Sequence, residues 1–442
     1  MPAATRSADT PMIWMVYNLL FPVALVILLP YYVTRMLRRG GYGKGFLQRI
    51  GVYDASLRAQ LLAHPRIWIH AVSVGETSVA LKFMAEWRRQ RPDVAFAMSV
   101  NTSTAHAMAA KALHAEDVLV YFPLDFPFVM RRVLKQIRPR LVVLTECEFW
   151  PNQMRMAKRG GIPILLINGR MSDRSFRGYR RFRWLFAPVM RLVDGVCVQG
   201  QQDAARFTDV GADPARVLVT GSAKYDVALA DPGCIAKAEE ILQAAGLSTG
   251  DLLLLGGSTW AGEEDVLLDI YVRLKPRFPA LRLVLVPRHA ERRDEVVAAI
   301  RRRGLRFVQR SQGKVPAGES PEVLLADTTG ELKHLYGAAA VIFVGKSLTQ
   351  HGGQNIIEPA VCGKPIVVGP NMENFRDVIR EFTAANAILQ VADAAELETR
   401  IAFLLGHEDE RRAYGQRAAT LVEKNRGALC ATVERALTVV AP

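Results

Sequence analysis

The chain has 442 residues, half of them hydrophobic, and 57 Lys and Arg set against 43 Asp and Glu leave a formal net charge of +14. That length and apolar content exclude a disordered chain and a disulfide-stapled miniature protein, and they suit two domains with full cores. The basic excess suits an anionic partner such as a nucleic acid, a membrane surface or a phosphorylated substrate.

Residues 12–33 read MIWMVYNLLFPVALVILLPYYV with no charge, enough to cross a ~30 Å hydrocarbon core as a helix. Trp14, Tyr17, Tyr31 and Tyr32 lie toward its ends, where amphipathic rings prefer the interface, and Pro22 and Pro30 predict a kink. Arg35, Arg38, Arg39, Lys44 and Arg49 follow the run, whereas only Arg6 and Asp9 precede it. The positive-inside rule then predicts a single-pass anchor over residues 1–35 with everything after it cytoplasmic. A cleaved signal peptide fits less well, because the positive leader is thin and no small-x-small cleavage site follows.

Beyond the anchor, short apolar runs alternate with amphipathic stretches. Strands are predicted at 66–71, 94–100, 118–122, 141–145, 162–168, 195–199 and 217–220, then at 252–256, 281–286, 306–309, 323–326, 341–344, 365–368 and 387–391. Such alternation is the pattern of parallel sheet covered by helices on both faces. The segment KYDVALADPG at 224–233 reads as a hinge between two similar halves. The expected fold is therefore α/β, with two Rossmann-like domains, 36–228 and 229–442, and a ligand cleft between them. A final helix within 411–439 is a candidate to cross back to the first domain.

Cys147, Cys197, Cys234, Cys362 and Cys430 are scattered and form no C-x-x-C pair, so they read as reduced structural cysteines. No His/Cys cluster has metal-ligand spacing, so neither a metal nor another cofactor is expected. Residues 170–191, RMSDRSFRGYRRFRWLFAPVMR, interleave seven arginines with Phe176, Tyr179, Phe182, Trp184 and Phe186. That mixture suits an anionic membrane surface or a lipid phosphate. It would also suit nucleic acid, but the preceding apolar run favours the membrane.

Chemistry-bearing residues cluster at the ends of predicted strands, where parallel sheets place ligands. After the first strand comes His-Ala-Val-Ser-Val-Gly-Glu at 70–76; Gly75 is expected to close a tight turn, and Glu76 falls at a helix start as a candidate general base or a complement to the helix dipole. LTECEFWPN at 144–152 ends a buried strand with Glu146 and Glu148, a costly pair unless solvated, partnered or functional. Ser73, Thr102, Ser103, Asn168 and Arg170 end neighbouring strands and could line the same rim, and Lys224 lies at the hinge. In the second half, Arg288 and the small polar Ser258 and Thr259 end two strands. Gly352 and Gly353 lead into a helix whose exposed N–H groups would make an anion site. Asn355 and Glu358 lie one turn apart, and a carboxylate there suits ribose hydroxyls, so the combination points to a nucleotide.

At these residues the sequence resembles the Kdo transferases, which attach 3-deoxy-D-manno-octulosonic acid to lipid A precursor. The resemblance rests on H-A-V-S-V-G-E, T-E-x-E-x-W-P-N, N-G-R-x-S, G-S-T, P-R-H and G-G-x-N-x-x-E-P, spread over nearly the whole chain. It implies the GT-B fold and a metal-independent, inverting transfer from CMP-Kdo to the lipid A precursor lipid IVA at the bacterial inner membrane. Glu76 would be the catalytic base, and Glu146 and Lys224 would stabilise the transition state. Arg288, His289, Thr329, Gly330, Glu331, Asn355, Ile356, Ile357 and Glu358 would hold CMP. The chain departs from the family pattern at Trp260 and Gln354, where histidine is usual. A GT-B enzyme using a UDP-sugar, or a membrane-tethered nucleotide binder without catalysis, would share much of this pattern; CMP release separates the first and loss of turnover in Glu76→Gln the second.

Overall fold

A computed structural model describes residues 11–39, 45–227, 234–248, 250–313 and 320–440, the side chains of 11, 29–39, 227 and 234 excepted. The chain divides into two compact units, residues 1–227 with 426–442 and residues 228–425. The C-terminal segment 426–442 thus belongs to the first unit and not to the 229–442 half, the crossing expected for a final helix within 411–439. Its helix Ala428–Val440 buries Leu429, Val433 and Ala436 among Ile69, Phe83 and Leu141. The Asp226 carboxylate, on the short helix Ala223–Val227, accepts from the backbone N–H groups of Gly427 and Leu429, each at 2.7 Å. That helix takes the first residues of the expected hinge; residues 228–233 lie outside the described ones.

The first unit holds strands β1 (Arg66–Ala71), β2 (Phe96–Val100), β3 (Val118–Tyr121), β4 (Pro139–Thr145), β5 (Ile164–Gly169), β6 (Gly195–Val198) and β7 (Val217–Val219). They form one parallel sheet in the order β3-β2-β1-β4-β5-β6-β7. β1 is buried along its whole length because helices cover both faces, which is why parallel strands read as continuous apolar runs rather than alternating ones. Alternate residues feed two cores: Trp68 joins Val142 and Leu144 on one face, while Ile67 and Ile69 join Leu141 and Val143 on the other.

The second unit repeats the plan with β8 (Leu252–Thr259), β9 (Leu281–Pro287), β10 (Phe307–Gln309), β11 (Val323–Leu325), β12 (Val341–Val344), β13 (Ile366–Val368) and β14 (Leu389–Gln390). Its parallel order is β10-β11-β9-β8-β12-β13-β14. In both units the first strand is central; the first unit builds outward from it on either side, and the second does the same except that β11 inserts between β9 and the edge strand β10. The strand order therefore reverses between β1 and β4 and between β8 and β12, which opens a crevice beyond the carboxyl ends of those pairs.

The helix Pro11–Arg39 covers the expected membrane span. Among the described residues no helix is long and apolar enough to cross a membrane, and the expected span at 12–33 runs past the last described side chain. Its first turns pack on the first unit: Ile13 and Trp14 are buried, and the Arg155 guanidinium lies 4.6 Å over the Trp14 ring. The Tyr17 hydroxyl donates to Asp125 at 2.8 Å, and the Asn152 side-chain amide donates to Asn18 Oδ1 at 2.8 Å. Polar groups bound in this way are not facing hydrocarbon. Asp125 also accepts from the N–H groups of Asn152 and Gln153, at 2.9 and 2.8 Å. It thereby caps the helix Pro151–Arg159, whose own N-cap, Trp150, makes no side-chain cap bond. The opposite side of the first helix stays apolar and open, with Met15, Leu19, Val23, Val26 and Ile27 all exposed.

Candidate active site

β1 runs out at Ala71, and Ser73 caps the helix Val74–Gln90 by accepting from the Glu76 N–H at 3.2 Å. The Ser73 hydroxyl donates to Glu76 Oε1 at 2.8 Å, and the Val72 N–H donates to Glu76 Oε2 at 2.9 Å. This reciprocal cap is the reason a carboxylate belongs three residues after the serine. Thr145, fully buried at the end of β4, brings its hydroxyl to 2.9 Å from Glu76 Oε2 and 2.8 Å from the His70 carbonyl. Glu76 is 8% exposed; groups from both sides of the strand-order reversal hold it at its crevice. Gly75 is a correction: it lies within the helix and is absent from the positive-φ residues, so it closes no turn. A Cβ there would meet only the Ser73 hydroxyl, at 3.8 Å, so the position borders open space.

His70, at the head of the same motif, is a core group. It is fully buried, stacked on Phe122 at 3.8 Å, and bonded through Nδ1 to the Ser99 carbonyl at 3.0 Å; burial pulls its pKa down to about 3. It stays neutral at physiological pH.

Glu146 follows β4 with φ +53°, and Asn168 sits near the end of β5 with the same φ. Such left-handed backbone in non-glycine residues costs on the order of 1–2 kcal/mol each and persists where the surroundings impose it. The Glu146 N–H donates to the Ile167 carbonyl at 3.0 Å, and Asn168 Oδ1 accepts from the Ala223 N–H at 3.1 Å. Burial, and next the neighbouring Glu76 charge, raise the pKa of Glu146; Arg170 and Lys224 oppose that rise. The Arg170 and Lys224 charges thus act on Glu146. Glu148 is half-buried beside Glu76, and burial pushes its carboxyl up to about 7. Thr102 caps the helix Ser103–Ala110 after β2 by accepting from the Ala105 N–H at 3.2 Å.

The second unit's candidate site lies at the carboxyl ends of β8, β9 and β12. Ser258 and Lys346 both have left-handed backbone, φ +53° and +57°. Glu263 is fully buried; it accepts from the N–H groups of Trp260 and Lys346 through Oε2 and from those of Ser347 and Leu348 through Oε1, at 2.8–3.0 Å. One carboxylate therefore shapes the loop after β12. Sequence reasoning missed it, because an acid in a first helical turn reads as an ordinary dipole complement. A Cβ at Gly345 would stand 2.4 Å from the Ser258 carbonyl and 2.7 Å from Glu263, so this loop requires glycine.

Arg288 and His289 are exposed at the end of β9, and the Arg288 N–H donates to the Thr259 carbonyl at 3.0 Å. Both Arg288 and Glu358 act electrostatically on the buried Tyr336, whose hydroxyl would lie 3.2 Å from a Cβ at Gly257. β8, β9 and the helix Ile357–Val361 thus bring Gly257, Arg288 and Glu358 to one tyrosine. The Asn355 amide donates to Glu358 Oε1 at 3.1 Å, and Asn355 Oδ1 accepts from the Ile357 N–H at 3.1 Å. Lys346 Nζ lies 4.6 Å over the Trp260 ring, and His289 meets that ring edge-on at 5.1 Å.

One expectation changes here. The glycine N–H groups read as an anion site are taken within the chain: Gly352 donates to Glu373 at 2.7 Å and Gly353 to the Lys346 carbonyl at 2.9 Å. Glu331 is ion-paired with Arg310 at 2.9 Å and accepts from Thr328, whereas Thr329 and Gly330 are exposed beside it. Of the cysteines described, Cys147, Cys197 and Cys430 are free thiols. In the basic-aromatic stretch, Phe176 and Tyr179 pack on the core, and Phe182 and Trp184 remain 47% and 54% exposed.

Residues 44–227 match the family described as 3-deoxy-D-manno-octulosonic-acid transferase (kdotransferase), and residues 265–421 match glycosyl transferases group 1. A 3-deoxy-D-manno-octulosonic acid transferase of Bordetella pertussis is 32% identical over 407 residues, covering 90% of this chain and 93% of that protein. One from Haemophilus influenzae is 29% identical, covering 88% of this chain and 90% of its own. The UDP-GlcNAc 2-epimerase structure from Neisseria meningitidis shares the fold at a TM-score of 0.59 and 13% identity, covering 84% of this chain and all of that one. A glycosyltransferase structure from Rickettsia africae does so at 0.56 and 13%, covering 85% and 98%. On the match of its first domain and its likeness to the Bordetella enzyme over nine-tenths of its length, the chain belongs to the 3-deoxy-D-manno-octulosonic acid transferase family.

Proposed function

We propose that this protein transfers Kdo from CMP-Kdo to lipid IVA, with inversion at the anomeric carbon and without a metal, in lipopolysaccharide synthesis. The observation that carries the reading is the Glu76 cradle: a nearly buried carboxylate, fixed by Val72, Ser73 and Thr145 at the mouth of the crevice. Glu76 takes the proton from the attacking sugar hydroxyl, a role typically worth ~10²–10⁴ in rate. The acceptor oxygen bonds to the anomeric carbon as the bond to the CMP phosphate breaks, and CMP leaves. Glu146 offsets positive charge on the sugar ring and Lys224 offsets negative charge on the departing phosphate. Arg288, His289, Thr329, Gly330, Asn355 and Glu358 hold CMP, with Glu358 accepting from ribose hydroxyls. The second domain binds the donor and the first the acceptor.

The lipid acceptor places the enzyme at the cytoplasmic face of the inner membrane. Association is peripheral in this reading, through the open apolar side of the helix Pro11–Arg39 and through Phe182 and Trp184 among their arginines. Mass spectrometry of lipid IVA incubated with the protein and CMP-Kdo tests the assignment. Addition of Kdo mass supports it; an unchanged lipid with CMP-Kdo, together with glycosylation from a UDP-sugar, refutes it.

A further inference from the structure

A second concave site lies in the first domain, away from Glu76. The helix Pro127–Ile137 buries Val129, Met130, Val133 and Ile137. Its outward stripe is Phe128, Arg131, Arg132 and Lys135, spaced i, i+3, i+4 and i+7 on one face. Opposite the stripe stand Gly51, Val52 and Tyr53 and, from the helix Ala55–Ala63, Arg58. Together they enclose a cavity of about 540 Å³ lined by four cations and no acid.

The four cations are exposed, but they are grouped on one cavity without a compensating acid. Among the described residues none of the four cations has a carboxylate ion-pair partner, although arginines elsewhere in the fold pair readily, as Arg292 does with Glu264 and Glu295. Tyr53 lines the cavity and is 8% exposed; its hydroxyl is itself shielded and has no hydrogen-bond partner. A buried donor left unmet costs roughly 1–3 kcal/mol, so a side-chain shift that brings it to an entering oxygen is favoured. Four cations around one cavity, with a hydroxyl donor in its wall, fit phosphate oxygens.

The rim is apolar. Phe128 is 67% exposed and Val52 38%. Phe128 stacks on Phe126 at 5.6 Å, and Phe126 meets Phe21 of the first helix edge-on at 5.2 Å. A line of rings thus joins the cavity to the helix whose open side is apolar. A free anion would gain nothing from that continuity, whereas a lipid with a phosphate head and apolar tails would use both parts.

The geometry points to a binding site for the phosphate head of an anionic phospholipid, formed by Tyr53, Arg58, Arg131, Arg132 and Lys135. It would orient the first domain on a bilayer whether or not Kdo is being transferred.

The test is sedimentation of the full-length protein with vesicles of phosphatidylcholine, with and without phosphatidic acid, in the absence of any sugar donor. Phosphatidic acid should tighten wild-type binding by about tenfold or more, and Arg131→Gln with Arg132→Gln should lose most of that gain. The charge-matched control Arg91→Gln with Lys111→Gln, two exposed residues outside the cavity, should keep it. Tyr53→Phe should weaken binding to the phosphatidic acid vesicles by about tenfold while leaving the melting midpoint unchanged or higher, because it removes an unmet buried hydroxyl. Equal loss in the two double variants, or wild-type affinity in Tyr53→Phe, would overturn the site. Release from vesicles by inorganic phosphate as readily as by short-chain phosphatidic acid would overturn the lipid and leave a site for soluble phosphate. Because no donor or acceptor sugar is present, failure here says nothing against the transferase reading.

Discussion

Thr145→Val isolates how much of the rate depends on holding Glu76 in place. The Thr145 hydroxyl has one proton and two acceptors, Glu76 Oε2 at 2.9 Å and the His70 carbonyl at 2.8 Å. A hydrogen bond to a charged group contributes about 1.5–3 kcal/mol. If that bond positions the base in the transition state, its loss lowers kcat by roughly 10- to 150-fold. Valine keeps the β-branched shape that suits a buried strand, so the fold survives. Initial rates of CMP release over a range of CMP-Kdo concentrations separate kcat from KM. The expected pattern is a lowered kcat, a nearly unchanged KM for the donor, and recovery in Thr145→Ser. A Thr145→Val protein that melts like wild type and keeps kcat within about twofold would refute the positioning role.

Four further substitutions probe the rest of the framework. Glu148 titrates near 7 in the folded chain against 4.5 as a free side chain, so the folded state holds its proton between those values. Its contribution to stability is complete below about 4.5 and is lost as pH rises through about 7. The full displacement corresponds to about 3 kcal/mol, which solvent screening of a half-buried group reduces to roughly 1–2 kcal/mol. Glu148→Gln should flatten that part of the stability–pH curve measured by urea unfolding. Glu263→Ala strands four backbone N–H groups and should destabilise the protein by more than about 3 kcal/mol in the same assay. Gly353→Ala places a Cβ 2.4 Å from Met372 Sδ at φ +70° and should cost roughly 2–4 kcal/mol. Gly363→Ala, at φ +63° with nothing within 4 Å, should cost only about 1–2 kcal/mol.

The central strands were visible as apolar runs because parallel strands covered on both faces need no polar alternation, whereas the edge strands β7, β10 and β14 are short and partly exposed. The Glu76 motif was legible too, since a serine three residues before a glutamate at a helix start has a local meaning. What escaped the sequence depends on contacts far apart along the chain. Thr145 meets Glu76 only because β4 lies beside β1. The left-handed backbone at Glu146, Asn168, Ser258 and Lys346 carries no glycine to announce it. Gly352 and Gly353 advertised free N–H groups, but Glu373 and the Lys346 carbonyl take them. The packing of the first helix was hidden for a related reason: its uncharged run conceals Tyr17 and Asn18, whose partners Asp125 and Asn152 lie more than a hundred residues away.

The most direct test of the central claim is CMP release by detergent-solubilised protein given CMP-Kdo and lipid IVA in EDTA, for wild type and Glu76→Gln. The account predicts acceptor-dependent release that survives EDTA and falls by ~10²–10⁴ in the variant. Release that Glu76→Gln leaves within about tenfold of wild type, or that EDTA abolishes, would contradict it.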